Sequence, residues 1–291
     1  MITRSLGPDA PNVYAVGFGG MPLSIQGRPA ADIGVRVVHA SLDAGMTLVD
    51  TADVYCLDDS DIGHNEQLIA RALSEWQGSR DSIVVATKGG LTRPEGRWER
   101  NGHPEHLRGA CEKSLKALAV DRIDLYQLHA PDPGVPFADS VGTLADLRRE
   151  GKIRWVGLSN VSVEEIGQAE SIVPVVTVQN RLNPFFREAL RTGVVEYCAK
   201  RGIGFLAYSP VGGGRLNKKL PTHSVVAEIA ERHGASTHAV VLAWVLNQGE
   251  SVIVIPGART IEHTVDSASS ATLRLSQGEF SAIDAAEFST A

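Results

Sequence analysis

Short apolar runs alternate with longer segments of helical periodicity along most of the chain. The short runs are rich in β-branched residues and apolar nearly throughout, which is typical of parallel strands that are buried on both faces. The pattern therefore predicts eight strands, at Val13–Phe18, Thr47–Asp50, Ile83–Thr87, Ile123–Leu128, Trp155–Leu158, Val175–Gln179, Gly204–Ala207 and Val252–Ile255.

Segments with a helical period separate these strands. Asn65–Trp76, for example, places Leu68, Ile69, Ala72 and Leu73 on one face. The other predicted helices are Ala30–Ala44, Pro104–Ala119, Phe137–Glu150, Ser162–Ser171, Glu188–Lys200, Ser224–His233, Thr237–Asn247 and Gln277–Phe288. Because strand and helix alternate eight times and no linker divides the chain, we predict an α/β fold, a (β/α)8 TIM barrel, that forms a single domain over residues 1–291.

Composition and charge narrow the functional classes. Hydrophobic residues make up 43% and charged residues 21% of the chain, as in ordinary globular proteins. The net charge of −6 leaves no surplus of basic side chains for a phosphate backbone, so nucleic acid is not expected as a partner. No run of 18 apolar residues occurs, so no membrane-spanning helix is expected either.

Cysteine usage indicates a reducing environment. Cys56, Cys111 and Cys198 are odd in number, widely spaced and not arranged as C-x-x-C. This weighs against a disulfide framework and against a zinc site, and no metal-binding set is predicted. Because the N-terminal residues also lack the apolar core of a signal peptide, we expect a cytoplasmic protein. The sequence leaves the oligomeric state open.

Two unusually long segments follow predicted strands. Gly89–His103 comes after the third strand, and Ser209–Pro221, which contains a glycine triplet at 212–214, comes after the seventh. In a (β/α)8 barrel the loops after the carboxyl ends of the strands build the active site. We therefore expect the functional residues at this rim.

Three successive predicted strands end in chemically active side chains. Asp50 ends the second strand and Tyr55 lies just beyond it, Lys88 follows the third strand, and His129 follows the fourth. Neighbouring strands lie about 5 Å apart, so these four side chains are expected to converge. Each residue type alone is more often structural, but the four together point to catalysis.

This set of side chains suits proton transfer to a carbonyl group. A phenol has a pKa of about 10 and is a poor acid at neutral pH. Lys88 is expected to lower the pKa of Tyr55, while Asp50 holds Lys88 in place and charged. His129 is expected to orient the carbonyl or to relay a proton. Reduction of a carbonyl also needs hydride, which predicts a nicotinamide cofactor.

Short motifs along the whole chain carry a resemblance to a known family. They occur in the family's own order: Asp50-Thr51-Ala52-x-x-Tyr55, Gly63-x-Asn65-Glu66, Thr87-Lys88, Leu128-His129, Gly157-Leu158-Ser159-Asn160, Val178-Gln179-Asn180, Tyr208-Ser209-Pro210 and Ile255-Pro256-Gly257. With these motifs the chain resembles the aldo-keto reductase family. The resemblance implies a (β/α)8 barrel and NAD(P)H-dependent reduction of aldehydes or ketones to alcohols. Tyr55 would be the proton donor, tuned by Lys88 and Asp50, and His129 would position the small-molecule carbonyl substrate.

The resemblance also implies where the cofactor binds. Ser159, Asn160 and Gln179 would hydrogen-bond the nicotinamide carboxamide, and Tyr208 would stack on the nicotinamide ring. The diphosphate and the adenosine end would be held by Ser209, Pro210, Gly212, Gly257, Ala258, Arg259 and His263. Arg259 suits the 2′-phosphate that distinguishes NADPH from NADH, so NADPH is expected, with NADH as the alternative.

Two other functions stay open. One is a barrel enzyme in which Lys88 forms a Schiff base with a carbonyl substrate, although the nearby Asp50 favours a charged amine. The other is a nicotinamide-binding regulatory subunit with little turnover. The chain also departs from many relatives at Cys56, where these carry glycine after the tyrosine, and in the acidic segment 57–62. The physiological substrate does not follow from the sequence.

Overall fold

Eight parallel strands form one curled sheet that closes into a barrel. The computed structural model describes residues 2–291. In chain order the barrel strands are β3 (Phe18–Gly19), β4 (Leu48–Asp50), β5 (Val84–Gly89), β8 (Ile123–Leu128), β9 (Ile153–Ser159), β10 (Val175–Arg181), β11 (Gly204–Tyr208) and β12 (Val252–Val254). Each pairs in parallel with the next, and single bridges from Val16 to Val254 and from Gly19 to Gly257 join the first strand to the last. The predicted (β/α)8 barrel is confirmed.

Helices cover the outside of this sheet. The described residues form α1 (Ala31–Asp43), α2 (His64–Glu75), α3 (Pro104–Leu118), α4 (Phe137–Arg149), α5 (Val163–Glu170), α6 (Glu188–Arg191), α7 (Val194–Arg201), α8 (Gly213–Leu216), α9 (Ser224–His233), α10 (Thr237–Leu246), α11 (Ile261–Ser269) and α12 (Gln277–Ala285). From α1 to α5 each helix packs on the next, and α11 packs on α1. Within residues 2–291 none of these helices has the length and apolar character needed to cross a bilayer.

The first predicted strand is wrong in its extent. Val13–Phe18 is divided between an antiparallel hairpin, β1 (Thr3–Ser5) with β2 (Asn12–Tyr14), and the short barrel strand β3. Leu6 and Val13 of this hairpin are fully buried against the side chains at the amino ends of the barrel strands. Because the hairpin and the barrel strand are both buried, the apolar run gives no sign of the break between them.

The inside of the barrel is apolar at the amino ends of the strands and polar at the carboxyl ends. The apolar cluster includes Leu48, Val84, Leu125, Trp155, Val176, Leu206 and Ile253. Alternate residues of a strand point inward, so Leu125 of β8 is followed on the same face by Gln127. Gly157 leaves room at this level, because a Cβ there would lie 2.4 Å from Thr177 Oγ1 and 2.8 Å from Gln127 Cγ. A polar floor therefore lies above a packed apolar base.

The two long segments at the rim are partly ordered rather than loops throughout. Gly89–His103 contains the hairpin of β6 (Leu91–Thr92) and β7 (Glu99–Arg100), and Ser209–Pro221 contains α8 and part of a 3-10 helix. The predicted helix Glu188–Lys200 is also two helices, α6 and α7. They are separated at Gly193, whose φ of +75° ends the first helix.

Candidate active site

A buried lysine lies at the centre of the polar floor. The Lys88 Nζ donates to Asp50 Oδ1 at 2.6 Å, to the Thr51 carbonyl oxygen at 2.8 Å and to Tyr55 Oη at 3.0 Å. The Lys88 side chain is fully buried. These three bonds use all three protons of the ammonium group. Since Tyr55 Oη accepts from Lys88, the proton of the phenol is left to donate elsewhere.

Asp50 is hydrogen-bonded through both of its oxygens. Its Oδ2 accepts from Gln179 Nε2 at 2.7 Å and from Gln127 Nε2 at 3.3 Å, while Oδ1 accepts from Lys88. A buried ion pair is tolerated when the remaining lone pairs are satisfied in this way. Gln127 is absent from the sequence-based set of site residues. Its position two residues before His129, on the same inward face of a strand, is the signal that would have found it.

The structure changes one expectation about Tyr55. Burial raises the pKa of Tyr55 above its ordinary value, and the attraction of Lys88 offsets only part of this rise. Lys88 does lower the pKa of Tyr55, as predicted, but burial raises this pKa by more, so the net shift is upward. Burial alone would lower the pKa of Lys88, but Asp50 and Tyr55 outweigh burial and the pKa is raised. Both groups carry their protons at neutral pH.

His129 stands beside the phenol as a neutral imidazole. Its ring is edge-on to Tyr55, with 5.8 Å between the ring centroids. Burial, and then the charge of Lys88, holds the pKa of His129 well below its usual range. Nδ1 is buried without a hydrogen-bond partner among residues 2–291. A neutral imidazole in this position can donate one hydrogen bond to an oxygen near Tyr55 Oη.

A cavity of about 650 Å³ opens above this floor at the carboxyl ends of the strands. Asp50, Tyr55 and His129 line it, with Lys88 buried beneath them. The volume lies within the roughly 300–1,000 Å³ typical of ligand sites. A second cavity, of about 640 Å³, is lined by residues including Asp53 but by none of these four. The chemistry therefore places the candidate site in the first cavity.

The same cavity collects most of the residues predicted to bind a cofactor. Ten of the eleven line it: Ser159, Asn160, Gln179, Tyr208, Ser209, Pro210, Gly257, Ala258, Arg259 and His263. Gly212 does not line it: a Cβ there would lie 2.9 Å from Leu216 Cβ and 3.1 Å from the Phe185 ring. Gly213 and Gly214 line the cavity instead. Lining residues that the sequence did not single out include Met21, Ile25 and Leu91.

Comparison with known proteins decides the family. Residues 15–287 match the profile described as "Aldo/keto reductase family". The chain belongs to the aldo/keto reductase family. An uncharacterized oxidoreductase of Schizosaccharomyces pombe is 36% identical over 243 residues, which cover 83% of this chain and 75% of that protein.

Solved structures of other aldo/keto reductases share the fold over nearly the whole chain. A glycerol dehydrogenase from Gluconobacter oxydans has a TM-score of 0.84 and 31% identity, covering 97% of this chain and 94% of its own. An aldo-keto reductase from Klebsiella pneumoniae, crystallised in complex with NADPH, has a TM-score of 0.79 and 28% identity, covering 98% and 95%. This chain is thus a member of a family of oxidoreductases.

In this aldo/keto reductase the amide of Asn160 is bonded within the protein. Its Nδ2 donates to the His129 carbonyl oxygen at 3.0 Å and to Ser159 Oγ at 3.1 Å, and its Oδ1 accepts from Tyr208 Oη at 2.8 Å. The backbone of Asn160 has a φ of +60°. These bonds join β8, β9 and β11 at the rim and set the orientation of the Tyr208 ring.

Arg259 links two segments at the rim. Its Nε donates to the Pro22 carbonyl oxygen at 3.0 Å and its Nη2 to the Gln26 carbonyl oxygen at 2.7 Å. Helix α11 begins directly after it, with the Thr260 side chain accepting from the backbone N–H of His263 at 3.2 Å. A guanidinium beside a helix N-terminus is a suitable surrounding for a phosphate group.

Glu66, in α2, is a buried acid of this aldo/keto reductase. Its Oε1 accepts a hydrogen bond from Thr87 Oγ1 at 2.5 Å, and its Oε2 is buried without a partner among residues 2–291. Burial raises the pKa of Glu66 from 4.5 to about 7. The folded protein therefore holds this proton at pH values where the unfolded chain has released it.

Glu66→Gln is expected to remove part of the pH dependence of stability. Between about pH 4.5 and 7 the unfolded state binds fewer protons at Glu66 than the folded state, so the free energy of unfolding falls as pH rises and then levels off. In the variant this decrease in the free energy of unfolding, which is up to about 3 kcal/mol, should be absent. Urea unfolding at about pH 5 and about pH 8 measures it. Glu75→Gln, at an exposed glutamate of the same helix, should keep the wild-type slope. Equal slopes in wild type and Glu66→Gln would contradict the assignment.

Proposed function

We propose that this protein is an NADPH-dependent reductase that converts aldehydes or ketones into alcohols, with Tyr55 as the proton donor. The observation that carries the proposal is the buried Lys88 ammonium, which donates to both Asp50 Oδ1 and Tyr55 Oη. This arrangement leaves a protonated phenol with its hydrogen free to face the cavity. General acid catalysis of this kind needs a donor within reach of the substrate oxygen.

The residues around the cavity fit a nicotinamide dinucleotide. A Cβ at Gly214 would meet no atom within 4 Å, so the backbone of this segment is open for contact with phosphate groups. When bound, the nicotinamide supplies the hydride that reduces the carbonyl carbon. Ser159, Asn160 and Gln179 would hold the carboxamide, and Tyr208 would contact the ring. The phosphate and adenosine parts would lie along Ser209, Pro210, Gly213, Gly257, Ala258, Arg259 and His263.

The preference for NADPH over NADH rests on the adenosine end. Arg259 donates to carbonyl oxygens through Nε and Nη2, so Nη1 remains as a further donor, and α11 begins beside this residue. A 2′-phosphate there would gain from both the guanidinium and the helix N-terminus. The related Klebsiella pneumoniae structure was crystallised with NADPH.

The chain's own groups account for the proton. A substrate carbonyl oxygen beside Tyr55 Oη would receive the phenolic proton, and the neutral imidazole of His129 would donate a hydrogen bond to the same oxygen. The O–H bond of Tyr55 breaks as the O–H bond of the alcohol forms. The Lys88 ammonium stabilises the resulting phenolate, and Asp50, held by Gln127 and Gln179, keeps Lys88 charged.

The Schiff-base alternative finds less support in this geometry. A Schiff base needs an uncharged amine, whereas all three protons of Lys88 are in hydrogen bonds and its pKa is raised. The regulatory-subunit alternative shares the same cofactor contacts and differs only in turnover. A rate measurement therefore separates it from the reductase.

The test is turnover with NADPH and NADH in parallel, together with direct binding of each cofactor. We expect oxidation of NADPH by at least one class of aldehyde or ketone in a panel of aromatic, aliphatic and sugar carbonyls. Arg259→Ala should weaken NADPH binding more than NADH binding. Tight NADPH binding without any turnover would favour a regulatory subunit, and folded protein that binds neither cofactor would overturn the proposal.

A further inference from the structure

Arg93 is a buried arginine with an unusual surrounding. It lies between β6 and β7, in the hairpin beside the candidate active site, and is 2% exposed. Its Nε and Nη1 are buried without hydrogen-bond partners among residues 2–291. A buried guanidinium without a carboxylate on these nitrogens is costly unless other contacts compensate.

Two sets of contacts hold Arg93. Its Nη2 donates to the carbonyl oxygens of Cys56 at 3.1 Å and Leu57 at 3.0 Å, which directly follow Tyr55. Its Cζ lies 3.9 Å from the centre of the Trp98 ring. The face of an indole is the most favourable aromatic partner for a cation, most of all where water is excluded. Arg93 thus connects the Tyr55 segment with Trp98.

Trp98 stands at the reacting end of the cavity. Its ring is edge-on to both Tyr55 and His129, with centroid distances of 6.3 and 6.4 Å. It is nonetheless 47% exposed and lines the cavity. Leu91 and Met21 pack against the cluster that contains Tyr55. The part of the cavity beside the proton donor is therefore walled by apolar and aromatic groups.

We propose that Arg93 is a positioning residue that fixes Trp98 as one wall of the substrate end and ties this wall to the backbone after Tyr55. The proposal rests on the proposed function and names its preferred substrates: carbonyl compounds that carry an aromatic ring. An aromatic substrate would meet the exposed indole with the offset or edge contacts that aromatic pairs favour. A short straight-chain aldehyde would reach Tyr55 without depending on Trp98.

The activity test compares benzaldehyde with propanal at saturating NADPH. Trp98→Ala should raise KM for benzaldehyde about tenfold or more while leaving KM for propanal within about twofold. Trp98→Phe should keep both KM values near wild type, and Arg93→Lys should raise the KM for benzaldehyde by less than Trp98→Ala does.

Arg154→Lys is the matched control, because Arg154 stacks on Trp155 at 4.1 Å in the amino-end base of the barrel. Both KM values should be unchanged in this variant. Equal effects of Trp98→Ala on the two aldehydes would overturn the substrate preference.

A fluorescence measurement tests the positioning part without turnover. Trp155 and Trp244 are 5% and 0% exposed and Trp76 is half-buried, so acrylamide quenches mainly Trp98. Arg93→Lys should raise quenching, and adding Arg93→Lys to Trp98→Phe should change nothing further. Unchanged quenching in Arg93→Lys would overturn the positioning role. If Arg93→Lys does not fold, the free energies of unfolding of Trp98→Ala and Trp98→Phe are compared instead. Trp98→Ala should be less stable than wild type because it removes the ring on which Arg93 stacks, whereas Trp98→Phe should not. If the wild-type protein shows no turnover, the proposed function is refuted. The quenching measurement still tests the positioning role of Arg93, because it does not depend on turnover.

Discussion

Tyr55→Phe is expected to lower turnover by about 10²–10⁴ and to leave NADPH binding near wild type. It removes the acid and one acceptor of Lys88, which keeps its bonds to Asp50 and to the Thr51 carbonyl oxygen. The ring keeps its edge contacts with His129 and Trp98, so the shape of the cavity is retained. Steady-state rates and a cofactor titration on the same preparations measure both effects.

Another buried tyrosine supplies the control. Tyr14→Phe also deletes a buried hydroxyl, which donates to the Ala268 carbonyl oxygen at 3.0 Å away from the cavity. It should cost some stability and leave turnover unchanged. A Tyr55→Phe enzyme with wild-type turnover would remove Tyr55 from the mechanism.

Lys88→Met is expected to abolish turnover and to lower the free energy of unfolding by about 3–5 kcal/mol. Both effects have the same origin. The substitution removes the cation that would stabilise the Tyr55 phenolate, and it leaves the Asp50 carboxylate buried at 2% exposure without its counter-ion. Turnover and denaturant unfolding are measured together.

The double variant Lys88→Met with Asp50→Asn separates these two effects. Neutralising Asp50 removes the uncompensated charge, and the asparagine still accepts from Gln179 or Gln127, so much of the lost stability should return. Turnover should stay lost, because the cation is still absent. A double variant no more stable than the single one, or either variant with substantial turnover, would contradict the role given to Lys88.

The sequence could predict the barrel because its strands have a simple signature. Runs such as Ile123–Leu128 and Val252–Ile255 are buried on both faces and stand between segments of helical period, and the structure places strands there. The division of Val13–Phe18 into a hairpin strand and a barrel strand could not be predicted, because both parts are apolar and buried. The break at Gly193 had a local signal, a glycine inside the predicted helix.

The sequence could predict the site residues that lie at the carboxyl ends of strands. Asp50, Lys88 and His129 lie at the carboxyl ends of adjacent strands, so parallel pairing alone brings them to one rim. The raised pKa of Tyr55 was not predictable, because it depends on the depth of burial. Trp98 lies in a hairpin that packs beside the cavity through tertiary contacts, so no pattern in the sequence marks it as a site residue rather than a packing residue.

The proposed function requires that hydride passes from NADPH to a carbonyl carbon while Tyr55 supplies the proton. The most direct measurement uses NADPH deuterated on one or the other face of the nicotinamide C4, with benzaldehyde as substrate and mass spectrometry of the product. We predict benzyl alcohol with one deuterium on carbon from one face only, because a nicotinamide ring stacked on Tyr208, as proposed, would expose a single face to the substrate. Formation of the alcohol without deuterium from either cofactor, or no alcohol from folded protein that binds NADPH, would contradict the account.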